Sequence, residues 1–198
     1  TAAVYASLDL TFFLSYRSRV AHQTLLVLDF GSQYTQLIAR RLRELKVYTE
    51  ILPFQTPVGE LQTRQPAGII LSGGPMSVSD DGAPRCAPEV FDLGGPVLGI
   101  CYGMQLMTDM LGGTVEPAPE REFGHATVTV ETESPLFDTV PSELRVWASH
   151  GDRIASLPSG FRAIGTSANA PIAAMEDASR RFYALLFHPE VVHTERGV

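Results

Sequence analysis

Gly99-Ile100-Cys101-Tyr102-Gly103 sets one cysteine between two glycines, directly after an apolar run of strand length. This G-x-C-x-G spacing is the cysteine form of a nucleophile elbow. Small neighbours let the chain turn sharply and hold the middle side chain in a strained conformation above the carboxyl edge of a sheet. A helix starting at that point would favour thiolate over thiol through its free N–H groups and dipole. The ordinary reading, a structural cysteine, fits Cys86, which stands between Pro84 and Pro88.

A thiolate nucleophile needs a partner that moves a proton near neutral pH, which directs attention to the five histidines. His188 lies in Phe187-His188-Pro189-Glu190, after the apolar run RFYALLF, and Pro189 prevents that strand from turning directly into a regular helix. In extended chain, positions i and i+2 face the same way, so Glu190 can fix the imidazole tautomer and stabilise its charged form. Cys101, His188 and Glu190 thus suggest a catalytic triad. His22, His125 and His193 read as surface or loop residues. His150, in the polar turn expected at Ser149-His150-Gly151-Asp152, fits either a structural corner or a substrate-binding loop. His188 and His193 have no third ligand at suitable spacing, so no metal site is expected.

Leu71-Ser72-Gly73-Gly74-Pro75 follows another apolar run. Paired glycines resemble a phosphate cradle, but no Gly-Lys follows them. Inward-facing N–H groups here suit an oxyanion hole; a simple tight turn is the alternative.

The elements that must position these groups follow from periodicity. TLLVLDF from Thr24 reads as a buried strand, followed by Gly31-Ser32 and a helix with Tyr34, Leu37, Ile38, Leu42 and Leu45 on its apolar side. VYTEIL and AGIIL read as further strands, and PVLGICYGMQLMTDMLGG as a strand running into a helix that ends at Gly112-Gly113. Non-alternating strands between helices predict an α/β fold: a mostly parallel central sheet with helices on both faces, flavodoxin-like. Beyond Gly113, ATVTVE, LRVWASHGD, FRAIGTSA, PIAAMED and RFYALLFHPE predict a small antiparallel or mixed extension packed on that sheet.

The whole chain supports one core. Its 198 residues are 44% hydrophobic and carry a net charge of −7, which opposes a broad grip on nucleic acid or anionic lipid. Fourteen of the fifteen cationic side chains are arginine, Lys46 being the exception, and no P-loop is present. Residues 1–23 read as an N-terminal arm of unknown role, ahead of a domain over 24–198. In the arm, arginines follow the apolar part, the reverse of a secretory signal, and the stretch is too short and broken to span a bilayer. Arg17 and Arg19 among serines leave a mitochondrial presequence as the weaker alternative. Two cysteines are too few for a disulfide scaffold, so a cytoplasmic location is expected.

Together, Asp29-Phe30-Gly31-Ser32-Gln33-Tyr34, the Ser72–Pro75 loop, GICYGMQ at Gly99–Gln105, REFG at Arg121–Gly124, SHGD at Ser149–Asp152 and FHPEV at Phe187–Val191 resemble the glutaminase domains of GMP synthases. These are class I glutamine amidotransferases, and the resemblance runs in order from about Leu25 onward. It implies that Cys101 attacks the side-chain amide of L-glutamine, and that His188 protonates the departing ammonia and then activates water. Glu190 orients His188, and the backbone N–H groups of Gly74 and Tyr102 hold the oxyanion. It further implies glutamine-binding roles for Gln105, Ser149 and Asp152. No cofactor is implied in this chain. ATP and Mg would be used in the ATP-pyrophosphatase domain that continues the family's full proteins and aminates XMP, so the chain is expected to be an excised domain or a separate subunit of such a pair. A glutaminase serving an anthranilate, carbamoyl phosphate or CTP synthase, and a catalytically silent flavodoxin-like regulatory module, are the alternatives.

Overall fold

The computed structural model describes residues 23–131 and 133–197. The expected arm therefore falls outside the described residues, apart from Gln23. Among those described, nine strands form one sheet in the order β2-β1-β3-β4-β9-β8-β7-β5-β6.

The first half alternates strands and helices. β1 (Thr24–Asp29) leads to α1 (Thr35–Glu44), β2 (Tyr48–Pro53), the short α2 (Val58–Thr63), β3 (Gly68–Leu71), β4 (Val97–Ile100) and α3 (Tyr102–Met110). β1 pairs parallel with β2 and β3, β3 with β4, and β4 with the last strand, β9 (Phe182–Leu185). The remaining strands, β5 (Thr114–Val130), β6 (Glu143–Ser156), β7 (Arg162–Ser167) and β8 (Ala174–Asp177), are joined by antiparallel pairings.

The sheet is thus mixed, and the expected extension is not a separate layer. β8 pairs antiparallel with the free edge of β9 and carries the same sheet onward. The apolar pattern of RFYALLF reveals burial but not that this strand pairs parallel with β4 on one edge and antiparallel with β8 on the other. Two local expectations also change. Ser149–Asp152 lies inside β6 rather than in a turn, with Phe123 opposite Ser149, Glu122 opposite His150 and Pro117 opposite Asp152 on β5. Leu45, expected on the apolar side of α1, is 73% exposed because the helix ends at Glu44.

Alternate strand residues feed two apolar clusters. Leu26, Leu28, Ile69 and Leu71 join Leu61 of α2 and Met104, Leu106 and Met107 of α3. Val27, Ile70, Ile100 and Cys101 join Ile38 of α1. Each fully buried aliphatic side chain contributes roughly 1.5–3 kcal/mol, so the strand ends that carry the polar loops sit on a well-anchored base. Among the described residues, no helix is long and apolar enough to cross a membrane.

Candidate active site

The turn from β4 into α3 has the geometry its glycines permit. Cys101 caps the helix at φ 52° and ψ −107°, a backbone conformation that costs a non-glycine residue roughly 1–3 kcal/mol. The flanking glycines are required by contact rather than by their own dihedrals. A Cβ on Gly99 would stand 2.6 Å from the carbonyl oxygen of Gly103, and one on Gly103 would collide with the carbonyl oxygen of Leu71. The helix can therefore start immediately above the sheet, with the thiol held at its N-terminus. Cys101 is buried, and its Sγ lies 3.6 Å from the carbonyl oxygen of Ser149 on β6.

His188 arrives from the other end of the chain, just beyond β9. Its N–H donates to Trp147 O at 2.9 Å, and its own carbonyl accepts from Thr194 Oγ1 at 2.5 Å. Those bonds fix the backbone while the ring is packed edge-on against Tyr34, centroid to centroid 5.0 Å. Glu190 Oε1 is 2.9 Å from Nδ1. Burial disfavours the charged imidazole, but hydrogen bonds to the side chains of Cys101 and Glu190, together with their negative charges, prevail and raise its pKa to about 10. The environment thus favours an imidazolium beside Cys101. Glu190 Oε2 is the one buried side-chain polar atom without a hydrogen-bond partner among the described residues, and Arg41 Nε donates to the glutamate's backbone oxygen at 3.2 Å.

The Ser72–Pro75 loop closes over this pair. A Cβ on Gly73 would lie 3.2 Å from Cε1 of His188, and one on Gly74 would lie 2.9 Å from Phe30 O and 3.2 Å from the Tyr102 ring. Tyr102 opens α3, so its N–H belongs to the helical turn that has no intrahelical acceptor.

Cys101, His188, Ser149, Gly74 and Pro75 line one cavity of about 380 Å³, together with Gly31–Tyr34 from the loop after β1. That last loop was missed as a site element, although Gly31-Ser32 at a strand end signalled a turn. Asp29 Oδ1 braces it by accepting from Gly31 N at 2.9 Å and Thr35 Oγ1 at 2.7 Å. Gln105 and Asp152 do not line this cavity: Gln105 Nε2 donates to Asp152 O at 3.4 Å. His150 is buried, and its ring contacts Glu122 Oε2 and Asp152 O, each at 3.1 Å. No group of three or more His, Cys, Asp or Glu side chains suited to a metal ion occurs among the described residues.

Residues 26–198 match the family described as glutamine amidotransferase class-I. A GMP synthase [glutamine-hydrolyzing] of Thermobifida fusca is 55% identical over 174 residues, covering 88% of this chain and 33% of that protein. Its counterpart in Bartonella bacilliformis is 56% identical over 177 residues, with 88% and 34% covered. The chain therefore spans about a third of the length of these curated relatives. Among solved structures, a protein of Thermoplasma acidophilum described as a GMP synthase subunit superposes with a TM-score of 0.76 at 33% identity, covering 89% of this chain and 88% of that one.

Proposed function

The chain belongs to the glutamine amidotransferase class-I family, and from that premise we propose that it hydrolyses the side-chain amide of L-glutamine through a thioester on Cys101. The Cys101 thiolate attacks the amide carbon, forming a C–S bond and a tetrahedral oxyanion. The backbone N–H groups of Gly74 and Tyr102 hold that oxygen, a contribution typically worth about 2.7–4 kcal/mol per donor in the transition state. His188 gives its proton to the amide nitrogen, the C–N bond breaks and ammonia leaves. The neutral imidazole then takes a proton from water, whose oxygen attacks the thioester and releases glutamate and the thiolate. Glu190 keeps the ring in the tautomer that points Nε2 at the sulfur.

The observation that carries this reading is the meeting of a strained, helix-capping Cys101 with the Glu190-linked imidazole of His188 in one cavity. Ser149, which lines that cavity, is placed as a glutamine contact. Gln105 would join it by releasing the main-chain oxygen of Asp152, and the Asp152 carboxylate would be suited to the substrate's ammonium group.

Free ammonia in neutral water becomes ammonium, which has no lone pair for attack, so productive use requires a sheltered transfer. The relatives' length and names support a further GMP synthase domain or subunit as the recipient; we assign it the ATP-pyrophosphatase role that the motif resemblance implies, with ATP and Mg used there and ammonia aminating activated XMP. The single sheet from Thr24 onward supports one amidotransferase domain over 24–198, and the two apolar clusters support helices covering both faces of its parallel part. Glutamate release from glutamine, with Cys101 alkylated by a glutamine-shaped chloroketone and protected by glutamine, tests the proposal. No labelling at Cys101 in a folded chain would refute it.

A further inference from the structure

Two motif residues outside the proposed triad meet in the interior. Glu122 on β5 lies directly opposite His150 on β6, and their side chains are 9% and 3% exposed. His150 Nδ1 is 3.1 Å from Asp152 O, and a carbonyl oxygen only accepts, so Nδ1 carries a proton. Nε2 is 3.1 Å from Glu122 Oε2, and two unprotonated acceptors would repel there, so a second proton lies between them. Whichever atom holds it, the pair has no net charge. Ser167 Oγ donates to the same carboxylate at 3.0 Å.

This pair adjoins the cavity from behind. Asp152 O, which His150 holds, also accepts from Gln105 on the helix that begins at Cys101. Ser149, the residue before His150, presents its carbonyl oxygen to Cys101 Sγ at 3.6 Å. The charged and titratable groups facing His150 are Glu122 from β5 and His188 from beyond β9, while the Arg121 stem passes beside Gly151. Burial is the largest influence on His150 and lowers its pKa, with His188 adding to it, while Glu122 and the Asp152 carbonyl act the other way.

We propose that Glu122 is a positioning residue for the hydrolysis: it shares one proton with His150, fixes the Ser149–Asp152 stretch against the Cys101 helix, and keeps a second net positive charge away from His188. The role rests on the glutaminase reading above, whereas the shared proton does not depend on it.

The test has two arms on the 198-residue chain. Imidazole NMR is expected to show a strongly downfield proton at Nε2 of His150 and no titration of that ring between about pH 6 and 8, the range in which an unperturbed imidazole titrates. Glu122→Gln is expected to remove this proton, because its amide donates to Nε2 instead. An imidazole that titrates normally in the parent and identically in Glu122→Gln would overturn the shared proton. In the second arm, Glu122→Ala is expected to slow chloroketone labelling of Cys101 and glutamate release by roughly tenfold or more, as an unpaired buried imidazole implies. Glu122→Gln should recover most of that loss, and Glu122→Asp, one methylene short, should not. Parental labelling rates in a folded Glu122→Ala chain would overturn the positioning role. A parent that neither labels nor releases glutamate would instead refute the glutaminase reading, and the role with it, while the NMR result would still decide the proton.

Discussion

Glu190 Oε1 sits 2.9 Å from Nδ1 of His188, two residues earlier in the chain, with both side chains almost fully buried. His188 makes an isolated bridge to Trp147, and the chain then turns at Pro189 and Glu190, which brings the carboxylate back onto the imidazole. The carboxylate has one protein partner for its two oxygens, and it directs the opposite ring nitrogen toward the sulfur. His188 therefore depends on Glu190 for orientation and charge, while the proton transfer itself is its own.

From this division of labour, His188→Ala is expected to lower kcat by about 10²–10⁴, the usual worth of a positioned acid–base group. Glu190→Ala should be milder, since the imidazole remains and loses orientation. Glutamate release under saturating glutamine checks the order. A Glu190→Ala defect larger than that of His188→Ala would assign the proton transfer elsewhere.

Stability should carry the same signature. The folded-state pKa of His188 is raised from 6.5 to about 10, so the folded chain binds its proton more tightly than the unfolded one. The resulting stabilisation is fully present below about pH 6.5 and is lost as pH rises toward 10. Thermal unfolding midpoints should fall between those pH values in the parent. They should fall less steeply in His188→Gln and in Cys101→Ala, which removes one of the side chains that raise the His188 pKa. Parallel curves for all three chains would contradict the assigned ion pair.

Much of this arrangement was legible in the sequence because it rests on local rules. The G-x-C-x-G spacing at Cys101 encodes a backbone shape within a few residues, and the His188-Pro189-Glu190 spacing brings two side chains together, although through a turn rather than the extended chain expected. The sheet order was less legible, since the pairing of β9 with β4 on one edge and β8 on the other is a long-range choice invisible in the apolar pattern of RFYALLF. The same limit hid Glu122 and His150. Each belongs to a motif of its own segment, and only the β5–β6 register places one against the other.

Cys101 is held at φ 52°, where glycine has no Cβ to suffer. Cys101→Gly should therefore abolish hydrolysis while raising stability by about 1 kcal/mol, the low end of the strain it relieves. Chemical denaturation of the two chains measures the difference. A Cys101→Gly chain less stable than Cys101→Ala would show that the elbow is not strained.

Gly103 tests how closely the nucleophile's helix must approach the sheet. A methyl group there would meet the carbonyl oxygen of Leu71, and backbone cannot swing aside as a side chain does. Gly103→Ala raises helix propensity by about 1 kcal/mol, yet overpacking typically costs about 1–3 kcal/mol. The contact is with main chain, so the clash should win, lowering the unfolding midpoint and displacing Cys101 from His188. Labelling of Cys101 by the chloroketone should slow more than labelling by a small neutral alkylator, because the geometry of the cavity is lost rather than access to the sulfur. Equal slowing of both reagents would mean that the helix stays in place and the thiol is merely covered.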